Sequence, residues 1–334
     1  MQEEKGVTLS DPTDKGVLIW RRELVRDFRD VHSRVPSRGN SHAQLSRGAL
    51  ATAATVISTG DVVLYWTRVN TPMTTFIDLD PAYSAFVIPT AWREDFVING
   101  QAADRSSIYA PVEGTVYRAH GGTRETHAAA FLREPFVETV AALKGIDPDE
   151  IRLDAGAIGM APSVVARLRF CLAEPLENFG CASQLFPLTP GATEQLTRDI
   201  LGVVTDTYLQ ARPAPARKIR TVARLARIVR KAEERFASAE GGPVSLADLC
   251  VAACVSQGTL YHAFMAIFGE SPLAYFRKRR LTDARSMLLG AVPGRSAIKR
   301  AAFGVGLTHL GRFAAEYRHL FGESPTATLN RSAR

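Results

Sequence analysis

The chain has 334 residues, 46% of them hydrophobic and 22% charged, which is typical of a globular protein with two domains. It contains no run of 18 or more apolar residues and its first residues are polar, which argues against a membrane span and a secretion signal. The net charge of +7 is uneven, because residues 213–334 carry 20 basic against 8 acidic side chains. We therefore expect a cytoplasmic protein whose C-terminal third meets a polyanion.

The first 210 residues are predicted to form β structure followed by helices. Short apolar segments separated by turn residues are typical of strands in a small barrel or sandwich. These segments are residues 62–66, 85–89 and 95–99. From about Thr126 a helical periodicity replaces them and is clearest in residues 162–174 and 193–209. Trp66 and Trp92 are predicted to lie in the core of the barrel.

Residues 211–218 are predicted to be a connector, because two prolines alternate there with alanines. Everything beyond it has helical periodicity, so we predict an all-α domain over residues 219–334. Ser245 and Asp248 have the spacing of a capping box at the start of a helix.

The pentapeptide FGESP occurs at residues 268–272 and again at residues 321–325. Apolar residues recur every four positions before each copy, so they lie on one face of a helix. In the two copies these are Leu260, Phe264 and Phe268, and Phe313, Tyr317 and Phe321. Phe-Gly predicts a helix that ends at glycine, and Ser-Pro predicts the cap and first position of the next helix.

We therefore infer a helical unit that occurs twice. A short helix, a turn and a second helix with a polar leading end form a helix-turn-helix. We predict the first unit at residues 245–268 and the second at residues 296–321, with Thr308 as the cap of its second helix. The connecting helix, residues 272–289, is predicted to hold the two units rigidly apart.

Two recognition helices on one side of DNA enter neighbouring major-groove segments about 34 Å apart. Base contacts are predicted for residues at the start of each recognition helix, with Arg312 first because arginine pairs well with guanine. The candidates are Gln257, Gly258, Thr259, Tyr261 and His262 in the first helix, and His309, Leu310, Gly311, Arg312 and Ala315 in the second. Phosphate contacts are predicted for Arg224, Ser256, Arg277, Lys278, Arg280 and Thr308.

About 100 residues of the chain resemble the AraC/XylS family of bacterial transcription regulators. The residues that carry the resemblance are 245–249, Val255-Ser256, Leu260, Phe264, Phe268-Gly269, Ser271-Pro272, Arg280-Leu281, Ala284-Arg285, Ala301-Ala302, Gly306, Phe313, Tyr317-Arg318 and 321–325. Cys254 departs from the pattern because it stands where the family usually has glycine. Leu307 departs from it because it replaces the usual aromatic residue.

The resemblance implies a helical DNA-binding domain with two helix-turn-helix units. It also implies an N-terminal domain, similar to a cupin-like barrel with helices, that senses a small molecule or dimerises through residues 193–209. The expected partners are operator DNA, an unknown small-molecule effector, a second copy of the chain and, for an activator, RNA polymerase. The fold class is thus α+β. The predicted function is a sequence-specific transcription regulator, and the family resemblance alone favours activation over repression.

The main alternative is a cupin-type metal enzyme fused to a basic helical module, and a third is a basic interaction module without DNA. A cupin metal site needs two or three histidines and a carboxylate that converge. The N-terminal half has only His32, His42, His120 and His127, without a close pair, and we expect them to be surface or satisfied polar residues. Cys250 and Cys254 are four residues apart, and His262 alone lies near enough to join them as a metal ligand. We predict no enzyme activity, cofactor or metal.

Overall fold

The structure is a computed structural model that describes residues 18–25, 34–112, 114–178, 190–212, 216–294 and 296–331. The predicted connector residues 213–215, His32 and Cys181 lie outside these ranges. The described strands, numbered in chain order, form two antiparallel sheets. In spatial order the seven-stranded sheet consists of β1 (Leu18–Val25), β3 (Thr52–Ser58), β4 (Val62–Val69), β11 (Arg124–Leu132), β6 (Tyr83–Trp92), β9 (Ser107–Ala110) and β12 (Gly156–Gly159). The five-stranded sheet consists of β2 (Ser37–Gln44), β5 (Met73–Leu79), β10 (Val116–Gly121), β7 (Phe96–Ile98) and β8 (Gln101–Ala102).

The central strand β11 of the seven-stranded sheet is buried on both faces. Ala129 and Phe131 of β11 face a core shared with three helices, whereas Ala128 and Ala130 face the second sheet. The three helices are α1 (Arg133–Lys144), α2 (Pro162–Asn178) and α3 (Pro190–Leu209), and a short 3-10 helix spans Pro148–Glu150. The order of β structure followed by helices is confirmed, but the described strands form two sheets and no closed barrel.

The predicted change to helix at Thr126 is wrong by several residues. Strand β11 continues to Leu132, and β12 follows α1 to pair with β9 at the edge of the sheet. The cause is tertiary: the alanine-rich segment 128–130 has good helix propensity, but β4 and β6 flank it and supply backbone partners on both sides. Trp66 and Trp92 are half-buried, and each packs at the edge of a core.

The C-terminal part of the described chain consists of helices. They are α4 (Ala216–Ala237), α5 (Leu246–Ala253), α6 (Gln257–Phe268), α7 (Pro272–Leu289), α8 (Ala297–Gly304), α9 (Leu310–Phe321) and α10 (Pro325–Arg331). Helix α4 begins inside the predicted connector, whereas α7 has the bounds predicted for the connecting helix. Tyr275 and Phe276 of α7 belong to a core with α4, α5 and α6, and Leu281, Ala284 and Leu288 belong to a core with α8, α9 and α10.

Most of the predicted helix ends are present. Ser245 and Asp248 form the capping box, Gly269 and Gly322 end α6 and α9 in the left-handed conformation, and Ser271 caps α7. The predicted cap at Thr308 is wrong, because α9 starts one residue later with His309 at its N-cap and without a side-chain hydrogen bond.

No single described helix has the length and apolar character needed to cross a membrane. One strongly bent pair, Leu246–Ala253 with Gln257–Phe268, meets the length and composition criteria together.

Candidate nucleic-acid interface

The first candidate recognition helix, α6, combines a buried face with an exposed polar start. Leu260, Phe264 and Phe268 are buried in the first helical core. The hydroxyl oxygen of Ser256 accepts a hydrogen bond from the Thr259 N–H at 3.3 Å, which caps the helix. Of the five predicted base contacts, Gln257, Gly258, Tyr261 and His262 are exposed, and Thr259 is half-buried.

The second candidate helix, α9, repeats this arrangement. Phe313, Tyr317 and Phe321 are buried in the second helical core. The five predicted base contacts at its start are all exposed: His309, Leu310, Gly311, Arg312 and Ala315. The two helices thus present polar, accessible leading ends from two separate cores.

Arg312 is both accessible and held in place. Its side chain is 69% exposed, and its Nε donates to Glu316 Oε1 at 2.8 Å. Glu316 Oε2 accepts from Arg277 Nε at 2.7 Å, so a carboxylate of α9 joins two arginines. Burial raises the pKa of Glu316, but the hydrogen bonds from Arg277 and Arg312 outweigh burial and lower it below its usual value. The two terminal amino groups of Arg312 are used in no described contact, which leaves them for an outside acceptor.

Comparison with known proteins identifies a helix-turn-helix domain in this part of the chain. A family model described as a helix-turn-helix domain matches residues 249–331. The XylDLEGF operon transcriptional activator 2 of Pseudomonas putida is 38% identical over 87 residues, which cover 26% of this chain and 55% of that protein. Another XylDLEGF operon transcriptional activator of P. putida is 38% identical over 86 residues, which cover only 27% of that protein. The chain therefore spans about half or less of the length of these activators.

A longer match exists to a protein of Rhodococcus erythropolis, a probable thc operon regulatory protein. It is 32% identical over 236 residues, which cover 67% of this chain and 68% of that protein. The chain belongs to the AraC/XylS family. The structure of the AraC-like transcriptional activator CuxR aligns with 80% of this chain and 94% of its own at 15% identity, with a TM-score of 0.40. That score is too low to carry a structural conclusion.

The two departures from the AraC/XylS pattern leave the local geometry intact. Cys254 ends α5 in the left-handed conformation with φ of 54°, where a side chain costs about 1–2 kcal/mol that glycine avoids. Its thiol donates to the Val251 carbonyl at 3.6 Å. Leu307 is buried in the second core in place of an aromatic side chain.

Three of the predicted phosphate contacts are exposed, and three have other partners in this AraC/XylS protein. Arg224, Ser256 and Thr308 are exposed. The other three lie on α7 and are half-buried: Arg277, Lys278 and Arg280. Lys278 Nζ and both terminal amino groups of Arg280 are bound to protein acceptors, so we expect these two to hold the structure together rather than to contact phosphate first. Arg277 uses only its Nε in the described contacts, so it stays a candidate for phosphate contact.

Arg280 ties α7 to two separate turns. Its Nη1 donates to the carbonyls of Gly241 and Val305 at 3.1 and 2.8 Å, and its Nη2 donates to Gly242 at 2.7 Å. Burial and then the nearby Arg277 lower the pKa of Arg280. The loop after α4 and the turn between α8 and α9 are therefore hydrogen-bonded to the same side chain.

The N-terminal sheets contact the trailing end of α9 and the connecting helix. Gln44 Nε2 donates to the Leu320 carbonyl at 3.0 Å, and the Gly48 N–H donates to the same oxygen at 3.1 Å. Lys278 Nζ donates to the Leu45 carbonyl at 2.6 Å and also contacts Glu270. These contacts fall at the far end of α9 from Arg312 and leave its leading end exposed.

A buried ion-pair cluster also joins the two parts, and sequence analysis missed it. Arg118 of β10 is fully buried, with its Nη2 3.6 Å from Glu233 Oε2 of α4. Glu233 Oε1 accepts from the Tyr275 hydroxyl at 2.6 Å and lies 3.8 Å from Arg279 Nη1. Burial raises the pKa of Tyr275 well above its usual value. No motif marked these residues, because their partners are distant in sequence.

The described histidines of the N-terminal part do not form a metal site. His42 and His127 are buried and His120 is half-buried, so of the two expected positions a surface position does not apply to His42 and His127. Burial, the larger cause in both, lowers the pKa of His120 and of His127 to about 4. Within the described ranges no group of three metal-ligating side chains comes together, and this includes Cys250 and Cys254.

A cavity lies between the two sheets and was also missed by sequence analysis. It has about 820 Å³ of empty space, counting the part open to solvent. Its lining alternates along the strands, as in Tyr117 and Ala119 of β10 and Thr126, Ala128 and Ala130 of β11.

Proposed function

We propose that this chain is a sequence-specific DNA-binding transcription regulator in which α6 and α9 are the recognition helices of two helix-turn-helix units. The observation that carries the proposal is the pair of exposed polar leading ends, each supported by its own core and both joined by α7. The basic charge of residues 213–334 supports phosphate binding around them.

The AraC/XylS relatives extend the proposal beyond DNA contact. The P. putida proteins are named as transcriptional activators, so we propose that this chain activates and meets RNA polymerase in the cytoplasm. We further propose that the N-terminal sheets form a cupin-like sensing domain whose inter-sheet cavity takes a small-molecule effector. We also propose that the chain dimerises through α3 and that it acts by binding rather than by catalysis.

Arg312→Ala is expected to lower the discrimination between specific and random DNA by about 1–3 kcal/mol, because a bidentate contact to guanine is lost. The specific duplex is first obtained by selecting binding sites from random DNA with the full chain. Fluorescence anisotropy then measures affinity for the selected and a scrambled duplex.

Arg318→Ala is the matched control, since Arg318 is exposed on the same helix but in its last turn. We expect it to leave discrimination unchanged. Equal weakening of Arg312→Ala on both duplexes would assign Arg312 to the phosphate backbone. Equal loss of discrimination in both variants would argue against α9 entering the groove by its leading end.

A further inference from the structure

The inter-sheet cavity has a mostly apolar lining. Of the described residues that line it, Arg124 at the start of β11 is the only one with a charged side chain. Apolar side chains from both sheets form most of the remaining wall, for example Val87 of β6 and Ile77 of β5. A mostly apolar lining with one charged side chain suits an amphipathic molecule.

Arg124 is buried without a counter-charge. Its side chain is 5% exposed, and no described carboxylate lies within ion-pair distance. Its Nη1 donates to the carbonyls of Met73, Gly121 and Gly122 at 3.0–3.3 Å, and its Nη2 donates to Thr75 Oγ1 at 3.3 Å. Burial lowers the pKa of Arg124 to about 10, so the guanidinium remains charged at neutral pH. The guanidinium carbon also lies 5.3 Å from the centre of the Phe96 ring. A buried charge with only neutral partners is costly unless an anion compensates it.

The hydrogen-bond inventory of Arg124 is incomplete. A guanidinium has five N–H donors, and the described contacts use Nη1 and one hydrogen of Nη2. The Nε–H and the second Nη2 hydrogen are left over. Two donors of one guanidinium match the two oxygens of a carboxylate.

Tyr117 supplies a second polar group from the opposite sheet. It lines the cavity from β10, and its hydroxyl has no hydrogen-bond partner among the described residues. Burial raises the pKa of Tyr117, while the positive charge of Arg124 acts in the opposite direction, so the two groups interact electrostatically. The phenol remains protonated at neutral pH and is able to donate.

We propose that this cavity binds an amphipathic monocarboxylate, with its carboxylate on Arg124 and the Tyr117 hydroxyl and its apolar body between the two sheets. The proposal names the chemical class of the effector and so rests on the effector-sensing part of the proposed function. A single guanidinium balances one negative charge. A phosphate monoester would bring a second charge into an apolar space, which is unfavourable.

The test compares carboxylates with their neutral amides on the full chain. Isothermal titration calorimetry measures the binding of phenylacetate, 4-phenylbutanoate and octanoate, and of the three corresponding amides. We expect at least one carboxylate to bind the wild-type protein about 10- to 100-fold more tightly than its amide, the range for charge-assisted hydrogen bonds. The aromatic and aliphatic acids distinguish the kinds of apolar body.

Arg124→Gln is expected to remove that preference, so that acid and amide bind within about threefold of each other. Tyr117→Phe keeps the ring and is expected to weaken the acid by a smaller factor. If Arg124→Gln does not fold, the wild-type preference and Tyr117→Phe still decide the matter. Equal affinity of acid and amide, or no binding by any of the six compounds, would overturn the proposal. DNA binding measured in parallel without ligand separates this failure from failure of the proposed function.

Discussion

Glu233→Ala is expected to lower the free energy of unfolding by about 3–5 kcal/mol, the usual cost of removing one member of a buried ion pair. The carboxylate lies between Arg118 of the N-terminal sheet and Arg279 of α7, and it accepts a hydrogen bond from Tyr275. Its removal leaves the buried guanidinium of Arg118 without this anion, whereas the half-buried Arg279 keeps Asp283, 3.5 Å from its Nε. Because β10 presents Arg118 to this cluster and Tyr117 to the cavity, the cluster also lies one residue from the proposed effector site.

Urea unfolding followed by circular dichroism measures the loss. Glu234→Ala is the matched control, because Glu234 is the next residue on α4, is 58% exposed and, among the described residues, pairs only with Arg230 at i−4. We expect a change of less than about 0.5 kcal/mol there. Glu233→Gln keeps the shape of the side chain without its charge, and we expect it to lower the free energy of unfolding nearly as much as Glu233→Ala does. A Glu233→Ala protein as stable as Glu234→Ala would contradict the description of this cluster.

Gly306→Ala is expected to destabilise the protein by about 3–5 kcal/mol, because strain and a steric clash combine at one position. Gly306 has φ of 75°, in the left-handed region that favours glycine. A Cβ placed there would lie 1.9 Å from the Gly241 carbonyl oxygen and 2.0 Å from Arg280 Nη1. The methyl group would therefore separate the turn between α8 and α9 from the loop and the arginine that hold it.

Gly304→Ala adds the same methyl group two residues earlier. Its Cβ would meet the flexible end of Met287 at 3.0 Å, and helix α8 includes this position. We expect a small effect of either sign, within about 1 kcal/mol, since removing a helical glycine offsets the close contact. The comparison uses the same urea titration. Similar stability of the two variants would show that Gly306 is not the close contact described here.

Local signals predicted the helical part of the fold well. The bounds of α7 agree with the prediction, and the capping box at Ser245 and the glycine ends at Gly269 and Gly322 are present. Each of these features depends on residues close in sequence, where backbone conformation and capping chemistry decide the outcome. The start of α9 was missed by one residue, since no side chain caps it.

Features that depend on distant partners were not predicted. The arginines of α7 were assigned to phosphate because their carbonyl and carboxylate acceptors, such as Gly241 and Glu316, lie about 40 residues away in sequence. Strand β11 was assigned to helix because its alanines have good helix propensity, whereas the strands that flank it, β4 and β6, are distant in sequence. Nothing in the sequence distinguishes Arg124, which lacks a carboxylate, from Arg285, which pairs with Glu323.

The central claim is that α6 and α9, held apart by α7, read two adjacent major-groove segments of one duplex. The most direct test inserts about 5 bp, half a helical turn, between the two halves of the selected binding site. The insertion rotates the second half of the site to the opposite side of the duplex. Because α7 is a single continuous helix bound to both units, the second recognition helix cannot move to that side. The affinity for the altered site should therefore fall by at least about 100-fold. Anisotropy with the full chain gives the value. Unchanged affinity after the insertion, or selection that enriches no sequence at all, would contradict the claim.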